Sequence, residues 1–190
     1  MSSPGEAEEL VREGEESLEE GEYEDALVAF ERALEEDPEH WGAALDRSEA
    51  LHLLWRTDEA LSAVQELQPP ADEEDDADRA DLEARILEAA GEFTAADVLF
   101  EEASRLDTEN FPRPVRTTRD DFRAILDDVL RGLPKQIRDV VAQVPVTVEP
   151  KPTPEMADQA PHISPEILGL YVGTSNGEKV GAPSGFPDVV

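Results

Sequence analysis

Along the first third of the chain, apolar or small residues recur at Leu10, Gly14, Leu18, Tyr23, Ala26, Phe30, Ala33 and Leu34, with the spacing of a helix and one interruption at Gly21. Pro38, after the acidic run Glu35, Glu36 and Asp37, ends the pattern, because proline disfavours helix in the residue before it. Two helices joined at Gly21 are predicted. About 34 residues further on, Ser48, Trp55, Thr57, Ala60 and Val64 stand at the corresponding places, with Leu51 and Leu61 helping to fill the core. The second unit is the weaker: Leu67 stands where a small residue is usual, and Pro69 and Pro70 cut its second helix short. The run 71–76, Ala-Asp-Glu-Glu-Asp-Asp, is expected as an exposed acidic loop or a ragged helix start. Ala80, Ala84, Leu87, Gly91, Phe93, Ala96, Phe100 and Ala103 then repeat the first unit, and Gly21-Glu22-Tyr23 answers Gly91-Glu92-Phe93. Three units are about the minimum for a stable stack.

This pattern resembles the tetratricopeptide repeat, in which small residues sit where one helix crosses the next and an aromatic fills each hairpin. On that resemblance Gly14, Ala26 and Ala33 are close-contact positions, and Tyr23 and Phe30 are fillers. It also implies a concave groove lined by the first helix of each unit. The matching positions here are Glu8, Glu15, Glu19, Glu49, His52, Asp78 and Asp81, the candidate partner-binding residues. The family's cradle for a peptide's carboxyl terminus uses Lys, Arg and Asn, and Arg85 is the exception in an otherwise acidic groove. The implied function is a protein-protein interaction scaffold whose partner is a basic peptide or protein surface. The competing expectation is a stack that only supports its neighbour domain.

Asn110-Phe111-Pro112-Arg113-Pro114 breaks the pattern. From Thr118 a further helix is predicted, its first turn capped or charged by Asp120 or Asp121, its apolar stripe made of Phe122, Ile125, Leu126, Val129 and Leu130, its end at Gly132. Leu133-Pro134 opens a short helix through Ile137, Val140 and Val141, and 144–148, Val-Pro-Val-Thr-Val, is expected as a strand. Six prolines between Pro145 and Pro165 predict an extended connection. The order of these features, with Leu133-Pro134 and the phrase Leu168-Gly169-Leu170-Tyr171-Val172-Gly173, resembles the opening of the bacterial minimal zincin-like metallopeptidase domain. The tail from Gly181 to Val190 would lead into its next strand. The expected fold class is mainly α: a helical-hairpin array over 7–110, a linker over 111–118, and a small incomplete α+β domain over 119–190.

In that peptidase family zinc is held by H-E-x-x-H on one helical face, the glutamate activating the metal-bound water. His40, His52 and His162 are scattered and form no such motif, so no catalytic or metal residue is carried over to this sequence. Zinc is expected only with a segment that these 190 residues do not contain, and the enzyme reading, a zinc metallopeptidase, depends on that segment. Phosphate loops, nucleophile elbows and dinucleotide fingerprints are absent from the sequence. His162 is expected in a loop and Asn176-Gly177 in a turn between short strands.

Charge sharpens the division. Residues before 111 carry 7 Lys+Arg against 36 Asp+Glu, and those after carry 9 against 11. A surface so acidic repels phosphate backbones, so neither nucleic acid nor anionic membrane is an expected partner, whereas basic proteins are steered toward it. A solvated face adapted to salty cytoplasm would show the same composition. The absence of cysteine excludes thiolate chemistry and fits a cytoplasmic location, as does the lack of a signal sequence at the start.

Overall fold

The computed structural model describes residues 4–68, 70, 72–141, 146–157 and 163–170. They form two compact units: Met1–Pro114 with Lys151–Ile167, and Val115–Pro150 with Leu168–Val190.

The first unit is built from antiparallel helix pairs: α1 (Pro4–Glu20) with α2 (Tyr23–Glu36), α3 (Trp41–Leu53) with α4 (Thr57–Glu66), and α5 (Glu73–Ala90) with α6 (Phe93–Leu106). Each helix packs on the next, and α3 also touches α1 and α5, so α1, α3 and α5 form one row of the stack. Small residues permit this approach. A Cβ on Gly14 would lie 2.5 to 2.8 Å from three ring atoms of Phe30, so only glycine lets α1 settle onto the buried aromatic of α2. Ser48 and Ala84, the equivalent positions, are completely buried. Ala26, Phe30, Ala33, Ala60, Val64, Ala96, Phe100 and Ala103 are buried as their spacing predicts, while Tyr23 is only half-buried.

The helix turns repeat as closely as the cores. In the first, the amides of Gly21 and Glu22 donate to the carbonyls of Leu18 and Ser17; in the second, those of Trp55 and Arg56 donate to His52 and Leu51; in the third, those of Gly91 and Glu92 donate to Glu88 and Leu87. This paired bonding satisfies the last helical carbonyls and requires a left-handed residue. Gly21 and Gly91 take it freely at φ 77° and 90°. Trp55 takes it at φ 62°, a conformation that is strained for a bulky side chain.

The acidic run before α5 takes the second of its two expected forms, a helix start. Asp72 caps the helix by accepting a hydrogen bond from the Asp75 amide at 3.0 Å, and Glu73, Glu74, Asp75 and Asp76 form the first turn. Carboxylates at this end interact favourably with the unpaired amides and the helix dipole, which helps explain why the helix starts despite the like charges.

In the second unit α7 (Arg119–Gly132) begins where the sequence predicts, with Asp120 and Asp121 charging its first turn, while the cap itself is Thr118, which accepts from the Asp121 amide at 3.1 Å. Its Phe122, Ile125 and Val129 are exposed, as are Ile137 and Val140 of α8 (Lys135–Val141). No strand occurs among the described residues. Residues 146–148 of the expected strand have no ladder, since no neighbouring strand is described to pair with them. Residues 144–145, His162, Tyr171-Val172-Gly173, Asn176-Gly177 and the tail from 181 lie outside the described residues. The fold is therefore mainly α, as predicted, but the α+β character expected of 119–190 has no described counterpart.

The described residues of the proline-rich stretch, 151–157 and 163–167, belong to the first unit, and the expected extended form gives way to the short α9 (Pro154–Ala157) and to a turn at Pro165 and Glu166 closed by the Ile167 amide on the Ser164 carbonyl. Lys151 donates to the Ala89 carbonyl near the end of α5, where a cation meets the negative end of the helix.

Candidate functional site

The three-residue interval of Asp46, Glu49 and His52 places them along one side of α3, while Asp78, Asp81 and Arg85 follow the three- and four-residue spacing of one side of α5. These sides meet. Arg85 Nη1 lies 3.0 Å from Glu49 Oε1 across the helix pair, and Arg85 Nε is 2.9 Å from Asp81 Oδ2 on its own helix. Burial works against the Arg85 charge, but Glu49, Glu166 and Asp81 more than offset it and hold its pKa above the ordinary guanidinium value.

The third carboxylate on Arg85 comes from far along the chain. Glu166 Oε1 accepts from Arg85 Nη1 at 2.5 Å and lies 3.3 Å from Nε2 of His52. The His52 contact is an ion-pair distance without hydrogen-bond alignment, and neither ring nitrogen of this fully buried histidine has a hydrogen-bond partner among the described residues. His52 and Arg85 together hold the Glu166 carboxyl down at about 2, against the opposing effect of burial. The segment is fixed at a second point, where the Trp55 indole N–H donates to the Ile163 carbonyl at 2.8 Å. Pro165, between the two anchors, is buried.

Further toward the start of α3 the site is purely acidic. Burial and the charges of Glu49, Glu15 and Asp78 push Asp46 up to about 7. Burial together with Asp75, Glu74, Asp81 and Glu49 raises Asp78, and burial also raises Asp81 despite its bond to Arg85.

Of the seven residues picked out from the sequence, five are therefore joined here: Glu49, His52 and Asp81 around Arg85 and Glu166, with Asp78 and Glu15 acting on the adjoining Asp46. Glu8 instead lies 3.5 Å from Nε2 of His40. That histidine caps α3 by accepting from the Ala43 amide at 3.1 Å. Glu19 is exposed on α1. Sequence reasoning missed Asp46, Trp55 and Glu166. Asp46 was signalled by its three-residue interval from Glu49, whereas nothing local marks Glu166 as belonging with residues more than eighty positions earlier.

The rear resemblance implies zinc, so the donors matter. Among the described residues no group of three or more His, Asp or Glu side chains could hold a metal ion, and no step is derived through one. No helix among them is long and apolar enough to cross a membrane.

Stacked helix pairs with a polar inner row define the helical-hairpin repeat class of fold. Residues 17–86 match the family model described as Tetratricopeptide repeat. Solved structures that match include the first tetratricopeptide repeat domain of Spaghetti (RPAP3) bound to the HSP90 peptide SRMEEVD, at 16% identity and a TM-score of 0.52, covering 67% of this chain and 96% of that one. At this identity the likeness concerns the fold. No match was found among curated proteins.

Proposed function

We propose that the stack is a protein-interaction scaffold whose α1, α3 and α5 row binds a segment of a partner protein, net basic in charge. The observation that carries this is the seating of residues 163–167 on the row through one main-chain carbonyl and one side chain, which is how a peptide is read. The peptide-bound repeat domain of similar fold supports the same reading. Electrostatics supports the basic character: Glu15, Asp46, Glu49, Asp78 and Asp81 outnumber Arg85, and a cation near Asp46 offsets the burial and the like charges that raise its pKa.

The test uses fluorescein-labelled peptides of equal length, one rich in lysine and one in glutamate, titrated with the full chain. The lysine peptide is expected to bind more tightly, with affinity falling as salt rises. Equal binding of both peptides, or of neither, would remove the proposal. The zincin-like reading of the rear half rests on its sequence phrase, and no geometry of the second unit adds to it.

A further inference from the structure

Outside the inner row, α2 and the second helix turn enclose an open hollow of about 520 Å³, lined by Glu24, Leu27, Val28, Glu31, Leu54 and Arg56. Intervals of three, four and seven residues put Glu24, Leu27, Val28 and Glu31 on one side of α2. The two leucines and the valine make an apolar floor, and a carboxylate stands at each end of its α2 side. At the usual helical rise those two positions are about 10 Å apart. Val28 is 53% exposed, so the floor has apolar surface left to cover.

The charges at the rim are unevenly spent. Arg56 places Nε 2.8 Å and Nη2 2.6 Å from the two carboxylate oxygens of Glu59, which does not line the hollow. Glu31 has Arg47 Nε at 3.8 Å in a partly exposed pair, and such pairs contribute little. Glu24 has no ion-pair partner among the described residues. The stack does not require this surface. Counted from the equivalent turns at Trp55 and Gly91, the next junction has Ser62 for Val28, Gln65 for Glu31, Ala90 for Leu54 and Glu92 for Arg56. There Gln65 donates to Glu83 of α5 at 2.8 Å, so polar side chains join the neighbouring helices. The first junction instead leaves a valine open between two carboxylates.

We propose that this hollow is a second docking site, for a partner segment that presents apolar side chains between two basic ones. The apolar side chains cover Val28 and Leu54, and the flanking cations meet Glu24 and Glu31. About three residues of extended chain span the 10 Å or so between the carboxylates, so lysines three positions apart reach both. The site stands without the inner-row reading, because none of its lining residues belongs to the cluster around Arg85 and Asp46.

The experiment titrates the full chain, its valine and leucine methyl groups isotopically labelled, with the blocked peptides Lys-Leu-Leu-Lys and Lys-Ser-Ser-Lys. Expected are shifts of the Leu27, Val28 and Leu54 methyl resonances with the first peptide and much smaller ones with the second. Val28→Ser places the residue of the next junction at an exposed position, and should bind Lys-Leu-Leu-Lys about ten-fold more weakly. The double variant Glu24→Gln with Glu31→Gln should also bind it more weakly, and with less dependence on salt. Equal shifts with both peptides, or unchanged affinity in Val28→Ser, overturn the apolar recognition. Unchanged affinity in the double variant overturns the pairing with basic residues. Movement of the Trp55 indole resonance with the Val28 methyls still assigns the peptide to the inner row and overturns the hollow. No shift with either peptide overturns the site altogether.

Discussion

The indole N–H of Trp55 donates to the main-chain carbonyl of Ile163 at 2.8 Å, joining the second repeat turn to a residue 108 positions later. This bond gives a reason for a bulky residue at φ 62°, where Gly21 and Gly91 serve the other two turns. The turn accepts backbone strain, and the side chain so placed holds the segment that carries Glu166.

Trp55→Phe keeps a ring in the same strained turn and deletes the donor. Loss of one such bond costs about 1 kcal/mol, which should appear as faster amide hydrogen exchange over 163–167 while exchange in α2 and α6 is unchanged. Equal acceleration in those core helices would mean that Trp55 supports the stack rather than the segment.

Glu166 has a folded-state pKa of about 2 against a reference of 4.5. A depressed carboxylate stabilises docking above its free value, so this contribution is complete above pH 4.5 and is lost as the pH falls through about 2. Tryptophan emission of the parent should therefore change across that window. Glu166→Gln should lack the change, and an identical titration in the variant would assign it to other carboxyls.

Asp46 has the opposite sign. Its pKa of about 7 against 3.8 means that stability from this group is complete below pH 3.8 and is lost as the pH rises through 7. Asp46→Asn removes the loss, so the melting temperature of the variant relative to the parent should rise between pH 5 and pH 8. A difference that is constant with pH would show that Asp46 does not titrate in this range.

Gly14→Ala places a methyl group 2.5 to 2.8 Å from the Phe30 ring. Overpacking costs about 1–3 kcal/mol, of which the better helix propensity of alanine offsets at most about 1. The expected outcome is a lower denaturation midpoint, partly restored in the double variant with Phe30→Leu, because the two positions share one space. Additive effects of the two changes would separate them.

The hairpin array was legible because its determinants are local and recurrent. Apolar spacing, the small residues Gly14, Ala26 and Ala33, and the Gly-Glu-aromatic turns each act within one hairpin, and the third unit repeats the first. The same periodicity placed Glu49, His52 and Asp81 on the inner row, since a helix assigns its faces by residue number alone. The start of α7 was legible in the same local way from its apolar stripe and acidic first turn, although Thr118 and not an aspartate is its cap.

What the sequence could not determine was long-range. That residues 151–157 and 163–167 belong with the repeats depends on partners many positions away, and the extended form expected from the prolines is replaced by α9 and by the turn at Pro165 and Glu166. The acidic run at Asp72 was legible only as a loop or a helix start, and the helix start is the form in which unpaired backbone amides are available to it. Glu166, one carboxylate among 47 acidic residues, acquired its role only when the fold brought Arg85 and His52 onto one surface. Helical periodicity is carried by neighbours in the chain, but an ion pair is made by neighbours in space, and only the tertiary structure decides which residues those are.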